Sequence, residues 1–126
     1  MHAVEYELVR KDAMYDAAID SLRRCCCDSG LKASGARLGH HQIWARDSMI
    51  ASLGARFVKD NQIQEALQAS LSVLKDHRGP RGAIPNNMDC VTLRPNFRAY
   101  ADGGLWWIIG SSFLAPDPEV IREILS

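Results

Sequence analysis

Two stretches of this chain gather side chains able to do chemistry on a polyol. In the first, His40 to Ser48, an indole, a guanidinium fork and a carboxylate follow closely at Trp44, Arg46 and Asp47. An indole stacks on the apolar face of a pyranose, and Arg with Asp offers paired donors and acceptors to vicinal hydroxyls. The same residues have a plainer use. Trp44 can be a core anchor, with Arg46 and Asp47 an ion pair at a helix start, and local pattern leaves both readings open.

The second stretch, Arg94 to Trp107, sets the carboxyl of Asp102 at a loop-to-helix junction among Phe97, Tyr100, Trp106 and Trp107, with Arg98 as a nearby cation. An apolar surround raises a carboxyl pKa, as a general acid working near neutral pH requires. A helix N-terminus acts oppositely, and Asp102 has the alternative of capping that helix through the amides of Gly104 or Leu105. Gly103 and Gly104 are poor helix formers, and both in one first turn imply a backbone that something approaches closely. Trp106 and Trp107 point apart on a helix, so one packs in the core and Trp106 is the one assigned to ligand. The polar run Asn86, Asn87, Asp89 and Thr92 reads either as turn chemistry or as hydroxyl recognition, with Asn87 and Asp89 the candidates.

Several chemistries are excluded. His40 and His41 are adjacent, not at helical ligand spacing, and suit a solvated loop or substrate contact. Cys25, Cys26 and Cys27 are consecutive and Cys90 stands apart, which is neither a disulfide framework nor a metal pattern, so reduced thiols, no metal and no cofactor are expected. Gly30, Gly35 and Gly39 do not follow a strand and make no phosphate-binding fingerprint. With 15 basic and 15 acidic side chains, the chain carries no charge excess for nucleic acid or an anionic membrane. The apolar run Leu105 to Gly110 is too short to span a bilayer, and Met1 to Arg10 lacks a signal peptide's apolar core, so a cytoplasmic protein is expected.

Helices must position these groups. Apolar recurrence predicts one over Lys11 to Cys27 through Met14, Ala17, Ala18, Leu22 and Cys25, and one over Arg46 to Lys59 through Met49, Ile50, Leu53, Phe57 and Val58. A third, capped by Asn61, buries Ile63, Ala66, Leu67, Ser70, Leu71 and Leu74 and forms a hairpin with the second. Leu31 to Gln42 and His77 to Ala101 read as long irregular segments, the second carrying a weak strand at Cys90 to Leu93. A fourth helix over Asp102 to Leu114 is apolar around most of its circumference, implying burial on several sides. A fifth covers Glu119 to Leu125. With 47% hydrophobic residues there is ample core material, and the fold class expected is all-α.

Taken together, Gln42 to Gly54 (QIWARDSMIASLG) and Gly82 to Gly110 (GAIPNNMDCVTLRPNFRAYADGGLWWIIG) resemble the amylo-α-1,6-glucosidase family of glycogen-debranching proteins. The resemblance covers roughly residues 35 to 115. It implies helical hairpins forming part of an (α/α)6 toroid, an α-glucan or oligosaccharide substrate, a sugar subsite at Trp44, Arg46 and Asp47, and Asp102 as general acid. The reaction implied is inverting hydrolysis, whose two carboxyls stand about 6.5–9.5 Å apart. In such toroids the second carboxylate comes from a later hairpin, and six hairpins need roughly 200 residues. Residues 1–126 are therefore expected to be a partial, C-terminally truncated catalytic domain, inactive alone and prone to associate. The alternatives are a carbohydrate-binding piece without hydrolysis and a structural helical module.

Overall fold

The computed structural model describes the backbone of residues 3–98 and 102–126, and side chains from residue 12 onward within those ranges. Five α-helices dominate the described residues: α1 (Ala3–Cys25), α2 (Ala45–Ala55), α3 (Asn61–Asp76), α4 (Asp102–Leu114) and α5 (Pro118–Leu125). None is long and apolar enough to cross a membrane.

Helix α3 is the spine of the molecule. Its expected face of Ile63, Ala66, Leu67, Ser70, Leu71 and Leu74 is the face that is buried. Leu71 and Leu74 join Ile43, Met49, Met88, Trp107 and Val120 in one apolar cluster, while Ile63 and Leu67 join Ile19 and Leu31 in another. Each large aliphatic side chain so buried contributes about 1.5–3 kcal/mol. The cap is Asp60 rather than Asn61: its Oδ1 accepts from the Ile63 amide at 3.0 Å, and its Oδ2 from Arg23 Nε of α1 at 2.7 Å.

The α2–α3 hairpin forms as expected, but α2 buries a different face. Ala45, Ser48, Met49, Ser52 and Ala55 face inward, whereas Ile50 and Phe57 stay exposed. Small residues win here because α4 lies close. A Cβ on Gly110 would run into the Met49 side chain, and one on Gly103 would touch Ala45. Ser48 and Ser52 can be buried because their hydroxyls donate to backbone carbonyls of Trp44 at 2.7 Å and Met49 at 2.6 Å. The Gln64 amide ends the helix, donating to the carbonyls of Val58 at 2.7 Å and Ala55 at 3.1 Å.

Helix α4 has the expected bounds and packs against α2, α3 and α5, but one face stays open. Trp107 is fully buried and its Nε1 donates to the Leu71 carbonyl at 3.1 Å, while Leu105, Ile109 and Phe113 remain exposed on another face. Helix α1 likewise turns a different register inward. Ile19, with Leu22, Cys25 and Cys26 around it, meets α3, and Met14, Ala17 and Ala18 are exposed.

The expected all-α class is corrected to mostly helical, since among the described residues five short strands form two small sheets. Strand β1 (Cys26–Cys27) pairs antiparallel with β2 (Gly30–Leu31) directly after α1. Gly30 has φ +148° and sits against Ser70, whose hydroxyl accepts the Leu31 amide at 2.7 Å, so this hairpin is pinned to α3. Strands β3 (Gln42–Trp44), β4 (Asn87–Asp89) and β5 (Pro95–Asn96) form an antiparallel sheet with β4 in the centre. The weak strand expected at Cys90 to Leu93 is instead the turn between β4 and β5. Strands of two or three residues leave no alternating run to detect, and they hold because their core-side residues pack on α3 and α4.

Candidate functional site

The three-stranded sheet divides its side chains by the two-residue period of a strand. Ile43 and Met88, partners across β3 and β4, are fully buried in the core. The alternate positions pair as Gln42 with Asp89, Trp44 with Asn87 and Asn87 with Asn96. Gln42, Trp44, Asn87, Asp89 and Asn96 therefore share the opposite face, an amide-rich surface with one indole at its end. Beside it lies a cleft of about 530 Å³ lined by Gln42, Asn87, Asp89, Thr92 and Asn96. On this face Gln42 Oε1 and Trp44 Nε1 are buried without a protein hydrogen-bond partner.

Asp89 also builds the turn that walls the cleft. Its Oδ1 accepts the amides of Val91 at 2.9 Å and Thr92 at 2.8 Å, and Leu93 adopts φ +56° to bring the chain back. The Thr92 and Val91 amides hold this carboxyl below the usual carboxylate range. Turn chemistry is thus the structural role of Asp89, and its position places it on the cleft as well.

The Trp44 end of the sheet runs straight into α2. Trp44 is the N-cap residue, with extended backbone and no side-chain cap bond, so Arg46 and Asp47 stand in the first turn of that helix. Close packing of α2 on α4 brings the first turn of α4 alongside. Arg46 Nη1 donates to Asp102 Oδ2 at 3.1 Å, and Arg46 Nε lies 3.9 Å from Asp47 Oδ1. A guanidinium is thereby flanked by two carboxylates. Arg46, Asp47 and Asp102 are 59%, 51% and 40% exposed, so all three remain open to solvent. Among the described residues, the hydrogen bond to the Asp102 carboxylate comes from Arg46 and not from the Gly104 or Leu105 amides that capping would use.

Of the residues singled out from sequence, Arg46, Asp47 and Asp102 meet, and Trp44, Asn87 and Asp89 lie on adjoining strands. Trp106 is half-buried and packs against the edge of the core, with Trp107 the core member of the pair. Arg98 is exposed beyond β5 and is not drawn into the Arg46 cluster. Tyr100, one of the four aromatics expected around Asp102, lies outside the described residues. His41 Nε2 bonds the Arg37 carbonyl at 2.8 Å and His40 is exposed. Among the described residues, no group of three or more His, Cys, Asp or Glu side chains is arranged to hold a metal ion.

Sequence reasoning missed Gln42 and Asn96 as cleft residues. The spacing of Gln42 two positions before Trp44 is the one signal that could have found the first. The second depends on the pairing of Asn96 with Asn87 across strands. Compared with models of known families, with curated proteins and with solved structures, the chain matches none of them.

Proposed function

We propose that this chain is a portion of a glycoside hydrolase acting on α-1,6-linked glucose in the cytoplasm, its α2–α3 hairpin one of those in an (α/α)6 toroid. The observation that carries the reading is the 3.1 Å contact between Arg46 and Asp102. It joins, across 56 residues, the two segments singled out for their sugar-shaped chemistry. The first of these segments continues directly from β3, which bears Trp44 and pairs with the strand of Asn87 and Asp89. In this reading the indole stacks on a glucose ring, while the amides and Arg46 exchange hydrogen bonds with its hydroxyls. Asp102 donates the proton to the glycosidic oxygen, and a second carboxylate activates water on the opposite face of the sugar.

A second reading is sugar binding without hydrolysis. It is favoured by the 40% exposure of Asp102, because a general acid gains its proton affinity from desolvation. Incubation of a longer form that carries this chain together with the second carboxylate with isomaltose, maltose and a limit dextrin, alongside titration of tryptophan fluorescence with each sugar, separates the two. Glucose release from α-1,6 linkages that is abolished in Asp102→Asn, with fluorescence binding retained, is the outcome expected of the hydrolase. Binding without release by any form carrying this chain supports the second reading, and no fluorescence response to any sugar overturns both.

A further inference from the structure

The four cysteines are distributed between the two halves of the core. Cys25 and Cys26 pack beside Ile19 and Leu67, whereas Cys27 and Cys90 both pack against the cluster around Leu74 and Met88. The strand alternation of β1 produces this split, turning Cys26 and Cys27 to opposite sides. Cys26 is further tied down, donating to the Leu22 carbonyl at 3.3 Å, and burial pushes its thiol up to about 11.

Cys27 and Cys90 are 63 positions apart in sequence, yet a single hydroxyl bridges their surroundings. Ser29 Oγ donates to the Cys90 carbonyl at 2.5 Å and lies 3.6 Å from Cys27 Sγ. Both cysteines line one open cleft of about 690 Å³, together with Val73, His77 and Leu93. Both cysteines are half-buried, and the cleft they line is wide enough for a small solute. Burial pushes the Cys90 thiol up, with the neighbouring Cys27 and Asp89 adding to the shift. In the structure all four cysteines are free.

We propose that Cys27 and Cys90 are a redox pair, which a two-electron oxidant such as hydrogen peroxide converts to a disulfide joining the β1–β2 hairpin to the β4–β5 turn. One thiolate attacks a peroxide oxygen, giving a sulfenic acid and releasing water. The second thiolate displaces the remaining oxygen from that sulfur as a second water, so two thiols and one peroxide become one disulfide and two waters. The bridge closes a long loop, which constrains the unfolded chain strongly. It also fixes the residue next to Asp89.

The test is a peptide map of the full chain after peroxide treatment and alkylation. The expected result is a Cys27–Cys90 linked peptide pair lacking two hydrogens, formed within the monomer, reversed by dithiothreitol, and raising the melting temperature by roughly 5–10 °C. Cys27→Ser and Cys90→Ser are each expected to leave the remaining cysteines unlinked under the same treatment. Four thiols still open to alkylation would overturn the proposal. So would a single over-oxidised cysteine, a link among Cys25, Cys26 and Cys27, or a link between molecules. Should either variant fail to fold, the map of the unaltered chain decides alone.

Discussion

Arg46 of α2 holds Asp102 of α4 at 3.1 Å on an open face, so two helix first turns that are distant in sequence share one ion pair. Exposed pairs of this kind contribute about 0–1 kcal/mol to stability. Asp102→Asn is therefore expected to move the thermal midpoint little, while in a longer form that also carries the second carboxylate the loss of a general acid lowers turnover about 10²–10⁴-fold. Calorimetry beside an isomaltose assay checks both. A large loss of stability would make the pair a structural clamp and remove Asp102 from the chemistry.

Trp107 behaves in the opposite manner, being fully buried and hydrogen-bonded to the Leu71 carbonyl at 3.1 Å. Trp107→Ala is expected to cost about 3–5 kcal/mol through lost contact and the cavity left behind. Trp106→Ala should cost clearly less. Urea denaturation of the two variants measures the difference, and equal costs would contradict the division of the pair.

Ser70 offers a sharper test of packing, because its hydroxyl is the acceptor that pins the Leu31 amide to α3. Ser70→Ala leaves a buried amide without a partner, a loss of about 1–3 kcal/mol. Hydrogen exchange at Leu31 is expected to accelerate in that variant. Unchanged exchange would mean that the β1–β2 hairpin is held by other contacts.

Acid should loosen the molecule at identifiable points. The Ile63 amide, then Arg23, lowers the pKa of Asp60; the Val120 amide lowers that of Asp117; and Arg78 lowers that of Glu123. A carboxyl with a depressed folded pKa contributes stability above its unfolded value, near 4, and loses that contribution as pH falls through the folded value. The melting temperature is thus expected to hold from pH 7 to about 5 and to decline below about pH 4. Asp60→Asn should flatten part of that decline. A profile no flatter than the unaltered chain's would remove Asp60 from the account.

The exposed row Leu105, Ile109 and Phe113 recurs every four residues along α4, with Ile50 exposed on neighbouring α2 and Phe57 exposed just beyond its end. Concentration-dependent association is expected from an apolar surface of this kind. Sedimentation velocity should show it diminished in Leu105→Glu combined with Ile109→Glu. A monomer at all concentrations in the unaltered chain would refute it.

These contrasts explain which parts of the fold were legible in the sequence. The buried face of helix α3 was readable, though its cap was not, since its large apolar residues mark that face at three- and four-residue steps. Helix α2 was misread because its inward positions include Ser48 and Ser52, which look polar yet satisfy their hydroxyls within the helix. Its conspicuous Ile50 faces outward, and Phe57, expected in the same helix, lies exposed beyond its end at Ala55. The sheet was invisible because register is a property of pairs, and strands of two or three residues carry no period. Arg46 and Asp102 could be recognised by type, but their meeting depends on the closeness of α2 to α4 around Gly103 and Gly110.

Asp89 carries the last consequence. With Oδ1 committed to the Val91 and Thr92 amides, the carboxylate cannot swing, and Oδ2 is not taken up by those two donors. A ligand hydroxyl arriving in the cleft would meet an acceptor whose direction folding has already chosen, so association sacrifices no rotameric freedom there. Substituting Asn at this position could keep the turn, but it would replace a fixed anionic acceptor with a neutral amide. The rigidity of a turn would then have become the selectivity of a binding surface.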